Sequence, residues 1–313
     1  PALAMGNTVV VKPAAQDPLG VIVMVEAMNE AGFPPGVVNV VVGSSAESGE
    51  ALVASAEVDM VSFTGSTAVG TKIAKTCAAD MRRVLLELGG KGASVVFAGA
   101  DLDKAAKGTA STFTFHAGQI CTAPTRLLAE RSVYDEMVER LTVLATGAKV
   151  GDPTERTTVV GPLISAVQRK RVLDHVEGAV AAGARLVAGG PAEMERGWYV
   201  TPTVLADCDP SLQAVQEEIF GPVVVCMPFD NEDEAAELAN GTSYGLYDYV
   251  WTGDPNQGLR FAGRLRSGNV GVNTVARHPD TPFGGFKRSG VGRDGGVFAL
   301  HAYTELQSVV WPG

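Results

Sequence analysis

Cys121 stands in Gly118-Gln119-Ile120-Cys121-Thr122, a small, polar loop between a helical stretch and an apolar run. A thiol presented from such a loop is placed for nucleophilic attack once deprotonated. By position alone the opposite reading outweighs it, because free cysteine is among the most buried residue types and packs as a small hydrophobe. Cys77, Cys208 and Cys226 lack a comparable loop and keep that packing role. Glu87, in Leu86-Glu87-Leu88-Gly89-Gly90, is a carboxylate at the end of an apolar strand, beside glycines that let a ligand come close to the backbone. A carboxyl in such a place tends to a raised pKa and suits general-base work near neutrality. A strand-end Glu turned to water is the equal alternative. Glu218, in Glu217-Glu218-Ile219-Phe220-Gly221-Pro222, sits where a loop meets a strand, where acidic side chains are usually just solvated.

A second kind of chemistry is phosphate binding. Phe63-Thr64-Gly65-Ser66-Thr67 places Gly65 and hydroxyl residues at a strand-to-helix junction, where free backbone N–H groups and the helix dipole favour an anion. It is neither the GxGxxG fingerprint nor a Walker loop, and Ser66 alone reads equally as a helix cap. Lys12-Pro13 ends the first strand, the kind of position that meets a ribose or phosphate at the carboxyl edge of a parallel sheet. A solvated Lys is the bland reading. His116, His175, His278 and His301 do not fall at metal-ligand spacing to the cysteines, and no CxxC pair exists, so a reduced, metal-free, cytoplasmic protein is expected.

These residues need a scaffold. The chain has 313 residues, 46% apolar and 19% charged, too many for one small core, so two domains are expected. A net charge of −10, from 25 basic and 35 acidic residues without basic clusters, argues against nucleic acid and anionic membrane as partners. The longest uncharged run, Gly108 to Thr125, is too rich in His, Gln, Pro and Thr for hydrocarbon. Short β-branched runs alternate with helical stretches. The strands are expected at 8–11, 37–42, 58–63, 83–86, 93–97, 126–130, 198–205, 223–229, 249–251 and 269–272. Helices are expected between them, the first from Pro18 to Ala31 capped by Asp17. That order predicts α/β architecture with parallel strands and crossover helices. Gly89-Gly90 offers the best boundary, and Ser308–Trp311 reads as a terminal strand.

The order and wording of six segments resemble the NAD(P)-dependent aldehyde dehydrogenase superfamily. They are Gly6-Asn7-Thr8-Val9-Val10-Val11-Lys12-Pro13, Phe63-Thr64-Gly65-Ser66-Thr67, Glu87-Leu88-Gly89-Gly90-Lys91, Gly118-Gln119-Ile120-Cys121, Glu217-Glu218-Ile219-Phe220-Gly221-Pro222 and Pro282-Phe283-Gly284-Gly285-Phe286-Lys287. They span nearly the whole chain. The resemblance implies the later part of a Rossmann-type dinucleotide domain at 1–89, an α/β catalytic domain at 90–288, and a tail at 289–313 with an oligomerisation strand. It makes Cys121 the nucleophile toward an aldehyde, with its own backbone N–H in the oxyanion hole, and Glu87 the base that activates water to hydrolyse the thioester. It assigns NAD or NADP to Lys12 and Glu218 at the riboses, Gly65 and Ser66 at the pyrophosphate and Phe220 near the nicotinamide, with Leu88 and Gly89 as further cofactor-binding residues. Phe283 would line a substrate tunnel, with His116 at its wall.

Further expectations follow from departures from the family pattern. The family's Pro-Trp-Asn segment, whose Asn completes the oxyanion hole, would fall just before Pro1 and is not in the chain. The chain opens on Pro1 rather than Met, so a front-truncated form, inactive or badly folded alone, is expected. Ala15 occupies the place where NAD-preferring members commonly carry a Glu that repels a 2′-phosphate, so NADP should be tolerated. Arg277 and His278, ahead of Pro282, are placed to receive a polar or acidic tail on the aldehyde or to form an exposed loop. The partners implied are a small-molecule aldehyde and, through Tyr303–Trp311, further copies of the chain. Two alternatives stay open: a CoA-acylating relative, against which Glu87 counts, and a catalytically silent dinucleotide-binding or structural relative.

Overall fold

Runs of Val, Leu and Ala set the interior strands. In the computed structural model, which describes every residue except Glu193, Glu195 and Gly313, two compact units make up the chain. The first comprises Pro1–Leu86, His278–Phe283 and Val291–Gly313; the second comprises Glu87–Arg277 and Gly284–Gly290.

The first unit alternates β1 (Val9–Val11), α1 (Leu19–Glu30), β2 (Val38–Val40), α2 (Glu47–Ala54), β3 (Met60–Thr64), α3 (Thr67–Ala79) and β4 (Arg83–Glu87). β1 pairs in parallel with β2, as Val10 against Asn39, and β3 and β4 are neighbours in a separate ladder. β2 and β3 do not pair. Only Val25 of α1 is fully buried, while Leu19, Val23 and Met24 are exposed, so this unit has a thin core. Asp17 does not cap α1. Its N–H turns back to the Ala14 carbonyl at 3.1 Å, and Pro18 takes the cap position with no side-chain acceptor.

The second unit carries the main core. Its strands are β5 (Ala93–Val96), β6 (Arg126–Glu130), β7 (Arg185–Pro191), β8 (Val200–Ala206), β9 (Val223–Phe229), β10 (Tyr247–Trp251) and β11 (Asn269–Val272). Its helices are α4 (Leu102–Thr114), α5 (Arg131–Gly147), α6 (Ala166–Ala181), α7 (Gln213–Gln216), α8 (Glu232–Asn240) and α9 (Pro255–Ala262). The strands form one seven-stranded sheet in the order β11-β10-β5-β6-β9-β8-β7. All pairs are parallel except β7 with β8, an antiparallel edge. Asp101, Ser165 and Asn231 cap α4, α6 and α8 with side-chain oxygens, each satisfying orphan N–H groups of a first turn.

The parallel order decides where a site can form. β10, β5, β6 and β9 are adjacent and run the same way, so the segments that enter them gather along one edge of the sheet. Glu87–Gly92 leads into β5, Gly118–Thr125 into β6, Glu217–Pro222 into β9 and Gly245–Leu246 into β10. A buried cation pins this edge. Arg126, at the start of β6, donates to the carbonyls of Lys91 (2.8 Å), Leu238 (2.7 Å) and Ala239 (2.7 Å), the last two from the carboxyl end of α8. Burial brings its guanidinium down to about 10 even with the Asp248 carboxylate opposing. Asp248, in β10, accepts from the Ala93 N–H of β5 at 2.7 Å, so three neighbouring strands are tied through one polar cluster.

After Val291 the chain returns to the first unit, where α10 (Gly296–Ala302) is its last helix. The strand expected at Ser308–Trp311 does not form: residues 304–312 belong to no helix or strand, and Leu306, Val309, Val310 and Trp311 are exposed. A strand requires a neighbouring backbone to complete its ladder, and no described segment of the chain supplies one here. Among the described residues, no helix is long and apolar enough to cross a membrane.

Candidate active site

Cys121 is delivered by a kinked turn. α4 stops at Thr114, and His116 (φ 49°), Ala117 (φ 54°) and Gly118 (φ 72°) follow in left-handed conformations that reverse the chain before β6. Such geometry is strained for His and Ala and survives only where packing imposes it. Gly118 is required, since a Cβ there would lie 2.1 Å from the Gly221 carbonyl oxygen. Gln119 clamps the turn, donating to the His116 carbonyl at 3.0 Å and accepting from the Ile164 N–H at 2.9 Å. His116 packs edge-on against Phe115 and both are exposed, so it is a turn residue and not a helix-end one.

Glu87 ends β4 and is 8% exposed. The backbone after it is held from far along the sequence. Leu88 donates its N–H to the Ser289 carbonyl at 2.9 Å, and the Ser289 hydroxyl donates to the Gly89 carbonyl at 2.7 Å while accepting from the Gly245 N–H at 2.9 Å. The glycine pair does admit a close neighbour, and in this structure that neighbour is the Glu218 side chain. Glu218 Oε1 accepts from the Gly90 N–H at 2.9 Å, and a Cβ on Gly89 would fall 2.4 Å from Oε2. A Cβ on Gly90 would lie 2.2 Å from the Cys121 carbonyl oxygen. Gly90→Ala is therefore expected to cost about 1–3 kcal/mol, seen as a lower urea midpoint, because it forces apart two backbones that touch.

The loop that carries Glu218 and Phe220 is positioned by α6. Gln168 donates to the Ile219 and Phe220 carbonyls at 2.9 and 2.8 Å, and Arg171 donates to the Glu218 carbonyl at 2.8 Å. Phe220 itself has φ 57°, a third strained residue at this edge. Sequence reasoning missed Gln168 and Arg171. Their partners are main-chain carbonyls, so only their shared face on a helix, three residues apart, could have pointed to them.

The electrostatics follow from this packing. Burial pushes the Cys121 thiol up, the Glu218 carboxylate adds to that, Arg277 opposes it, and Glu87 raises it further. Burial likewise raises the Glu218 carboxyl, against the Gly90 N–H and the Arg171 and Lys91 cations. Lys91 is 1% exposed, its ammonium has no hydrogen-bond partner, and burial brings it down to about 7. Beyond Cys121, the Thr122 carbonyl accepts from the Tyr249 hydroxyl at 3.2 Å, and its side-chain hydroxyl accepts from Arg277.

Cys121, Glu87, Leu88, Gly89, Glu218 and Phe220 thus all fall in the second unit, on the segments that enter neighbouring strands. Lys12, Gly65, Ser66 and Phe283 belong to the first unit. There Lys12 follows β1, and Ser66 caps α3, its hydroxyl accepting from the Val69 N–H at 3.4 Å. Gly65 is exposed beside it, with no room for a Cβ against the Phe63 ring. Phe283 pairs with Asp294 through both backbone groups, at 2.6 and 2.7 Å. His278 is exposed and lies 3.8 Å from Asp280. Among the described residues, no three His, Cys, Asp or Glu converge as a metal site.

The second unit is thus a largely parallel α/β sheet that gathers a thiol and a buried carboxylate along one edge. The chain belongs to the aldehyde dehydrogenase family, whose model matches residues 1–309. It is 44% identical to a 2-hydroxymuconic semialdehyde dehydrogenase of Pseudomonas sp. (strain CF600), over 99% of this chain and 65% of that protein. Against a betaine aldehyde dehydrogenase of Bacillus subtilis (strain 168) the identity is 41%, over 99% of this chain and 64% of the relative. The NAD+ complex structure of an aldehyde dehydrogenase from Bacillus cereus superposes with a TM-score of 0.96 at 42% identity, covering 98% of this chain and 63% of that one. The chain therefore spans slightly less than two thirds of the length of these relatives.

Proposed function

We propose that the intact protein oxidises an aldehyde to a carboxylic acid, with a nicotinamide dinucleotide as oxidant. The observation that carries this is the delivery of Cys121 and Glu87 to one sheet edge by separate, rigidly clamped segments. A strained turn before Cys121 and a carboxylate as buried as Glu87 are features that cluster at functional sites.

The family resemblance assigns a dinucleotide to residues of each unit. The exposed Gly65 turn and the amino end of α3 would receive its pyrophosphate, Lys12 and Glu218 its riboses, and Leu88, Gly89 and Phe220 its nicotinamide end. When bound it supplies the hydride acceptor. The chain's own residues do the rest. Cys121 Sγ bonds to the carbonyl carbon, and the oxyanion is stabilised by the Cys121 backbone N–H. After loss of hydride the carbon is held as a thioester on Cys121. Glu87 takes a proton from water as it adds to that carbon; the C–S bond then breaks, returning the thiolate and releasing the acid. Phe283 would line the substrate's path. The family's further Asn donor is not among these residues, so this mechanism assigns it no step.

The NAD+ complex among the similar structures supports NAD as cofactor. Ala15, exposed three residues after Lys12, supports tolerance of NADP because no carboxylate stands there to repel a 2′-phosphate. The relatives' names span betaine aldehyde, a semialdehyde acid and retinal, which supports the aldehyde class without choosing a member. Four free cysteines support a reducing, cytoplasmic setting. The exposed apolar row Leu306, Val309, Val310 and Trp311 supports assembly with further copies.

Product analysis of the intact protein with NAD+ and NADP+, with and without CoA, tests the reading. Free acid is expected in every arm, one per reduced dinucleotide, with kcat/KM for the two cofactors within about tenfold, or roughly 1.4 kcal/mol. Acyl-CoA as the sole product would establish the acylating alternative, and dinucleotide binding without turnover the silent one. A preference for NAD+ beyond about a hundredfold would overturn the inference from Ala15.

A further inference from the structure

Lys91 follows the glycine pair into the core. It is buried, and its Nζ makes no hydrogen bond. The charged and titratable groups that face it come from four elements: Arg126 from β6, Glu217 and Glu218 from the segment before β9, Cys208 just after β8, and His175 from α6. Ala93, two residues on from Lys91, lies in the apolar cluster with Val172 and Cys208. An enclosed cation without a hydrogen bond destabilises a fold unless an opposite charge offsets it. Burial and Arg126 act against the Lys91 proton, and among the groups that hold it Glu218 contributes most.

The dependence is mutual. Burial raises the Glu218 carboxyl, and the Gly90 N–H, Arg171 and Lys91 oppose that rise. Arg171 is exposed, where salt screens it, whereas Lys91 is enclosed and acts through a medium of low dielectric. Geometry fixes the carboxylate as well. Its Oε1 is held by the Gly90 N–H, and its Oε2 fills the space where a Gly89 side chain would begin. Glu218 thus sits on the two residues that lead into the lysine balancing its charge.

We infer that Lys91 is a positioning residue for the dinucleotide: its buried ammonium keeps the Glu218 carboxylate ionised and seated on Gly89-Gly90, where it meets the nicotinamide-side ribose. This rests on the reading of Glu218 as a ribose ligand. Calorimetry on the intact wild-type, Lys91→Met, Glu218→Gln and doubly substituted proteins measures binding of NADH and of ADP, which has no nicotinamide-side ribose. At about pH 6, Lys91→Met is expected to weaken NADH about tenfold and to leave ADP within about twofold. In the Glu218→Gln background the same replacement should change NADH affinity by less than about twofold, since the lysine then has no carboxylate to act through. The pH dependence gives a further readout. Burial brings Lys91 down to about 7, and burial and Lys91 push His175 below its ordinary range, so raising the pH through 7 discharges Lys91 while His175 is already neutral. Wild-type NADH affinity should fall across that interval and that of Lys91→Met should stay level. Equal losses of NADH and ADP, unchanged NADH affinity in Lys91→Met, the same loss in both backgrounds, or a level wild-type profile overturns the assignment while leaving the dehydrogenase reading intact. A wild type that binds neither NADH nor NADPH removes both.

Discussion

Replacing Cys121 by Ala in the intact protein is expected to lower aldehyde oxidation by about 10⁴-fold or more while leaving dinucleotide binding measurable. The size follows from the proposed reaction, in which Sγ alone would hold the substrate covalently and has no partial substitute. Turnover within tenfold of wild type would refute the nucleophile. The thiol's surroundings add a pH signature. Burial and the neighbouring carboxylates disfavour the thiolate, so alkylation of Cys121 by iodoacetamide should keep rising with pH beyond the point where an ordinary cysteine levels off. Glu218→Gln removes a repelling charge, which stabilises the thiolate and shifts that profile to lower pH. A profile that does not move, or moves upward, contradicts the geometry that places Glu218 on Gly89-Gly90 beside Cys121.

Replacing Glu87 by Gln should separate the two halves of the reaction. Acylation of Cys121 does not call on Glu87, so a first equivalent of reduced dinucleotide should form, after which steady turnover falls by about 10²–10⁴-fold. The thioester should accumulate and be visible as a mass increment on the peptide that carries Cys121. Steady turnover near the wild-type rate would show that another group activates the water. Exposure makes the test sharp, because a carboxylate 8% exposed has little bulk water to replace its function.

The strands at the centre of the sheet were readable because burial on both faces leaves little but Val, Leu and Ala. β6 and β9 occupy the ranges that their apolar runs predict. β7 was not anticipated, since it is an edge strand whose pairing accommodates Gly189 and Gly190 at positive φ, and glycine in a run reads as a break. Ser308–Trp311 has the composition of a strand but pairs with no described segment of this chain, because pairing is a property of two segments and composition describes one. At the site, each motif was legible by itself and their meeting was not. Glu218 touching Gly90, Ser289 holding Gly89, and Gln168 holding Phe220 are contacts between residues far apart in sequence, made through backbone groups that every residue possesses.

The Ser289 clasp has a consequence for biosynthesis. Its hydroxyl and carbonyl close on Leu88, Gly89 and Gly245, so the segment that aims Glu87 stays unfinished until the chain has been made almost to its end. Loop closure over such a span is slow compared with local helix formation, and ribosomes release sequence from the amino end first. Most of the seven-stranded sheet can therefore pair, and the thiol of Cys121 can reach its turn, while the backbone after Glu87 is still without its clasp. In the proposed reaction this order separates the two residues in time: the turn that carries Cys121 is set before the segment that aims Glu87.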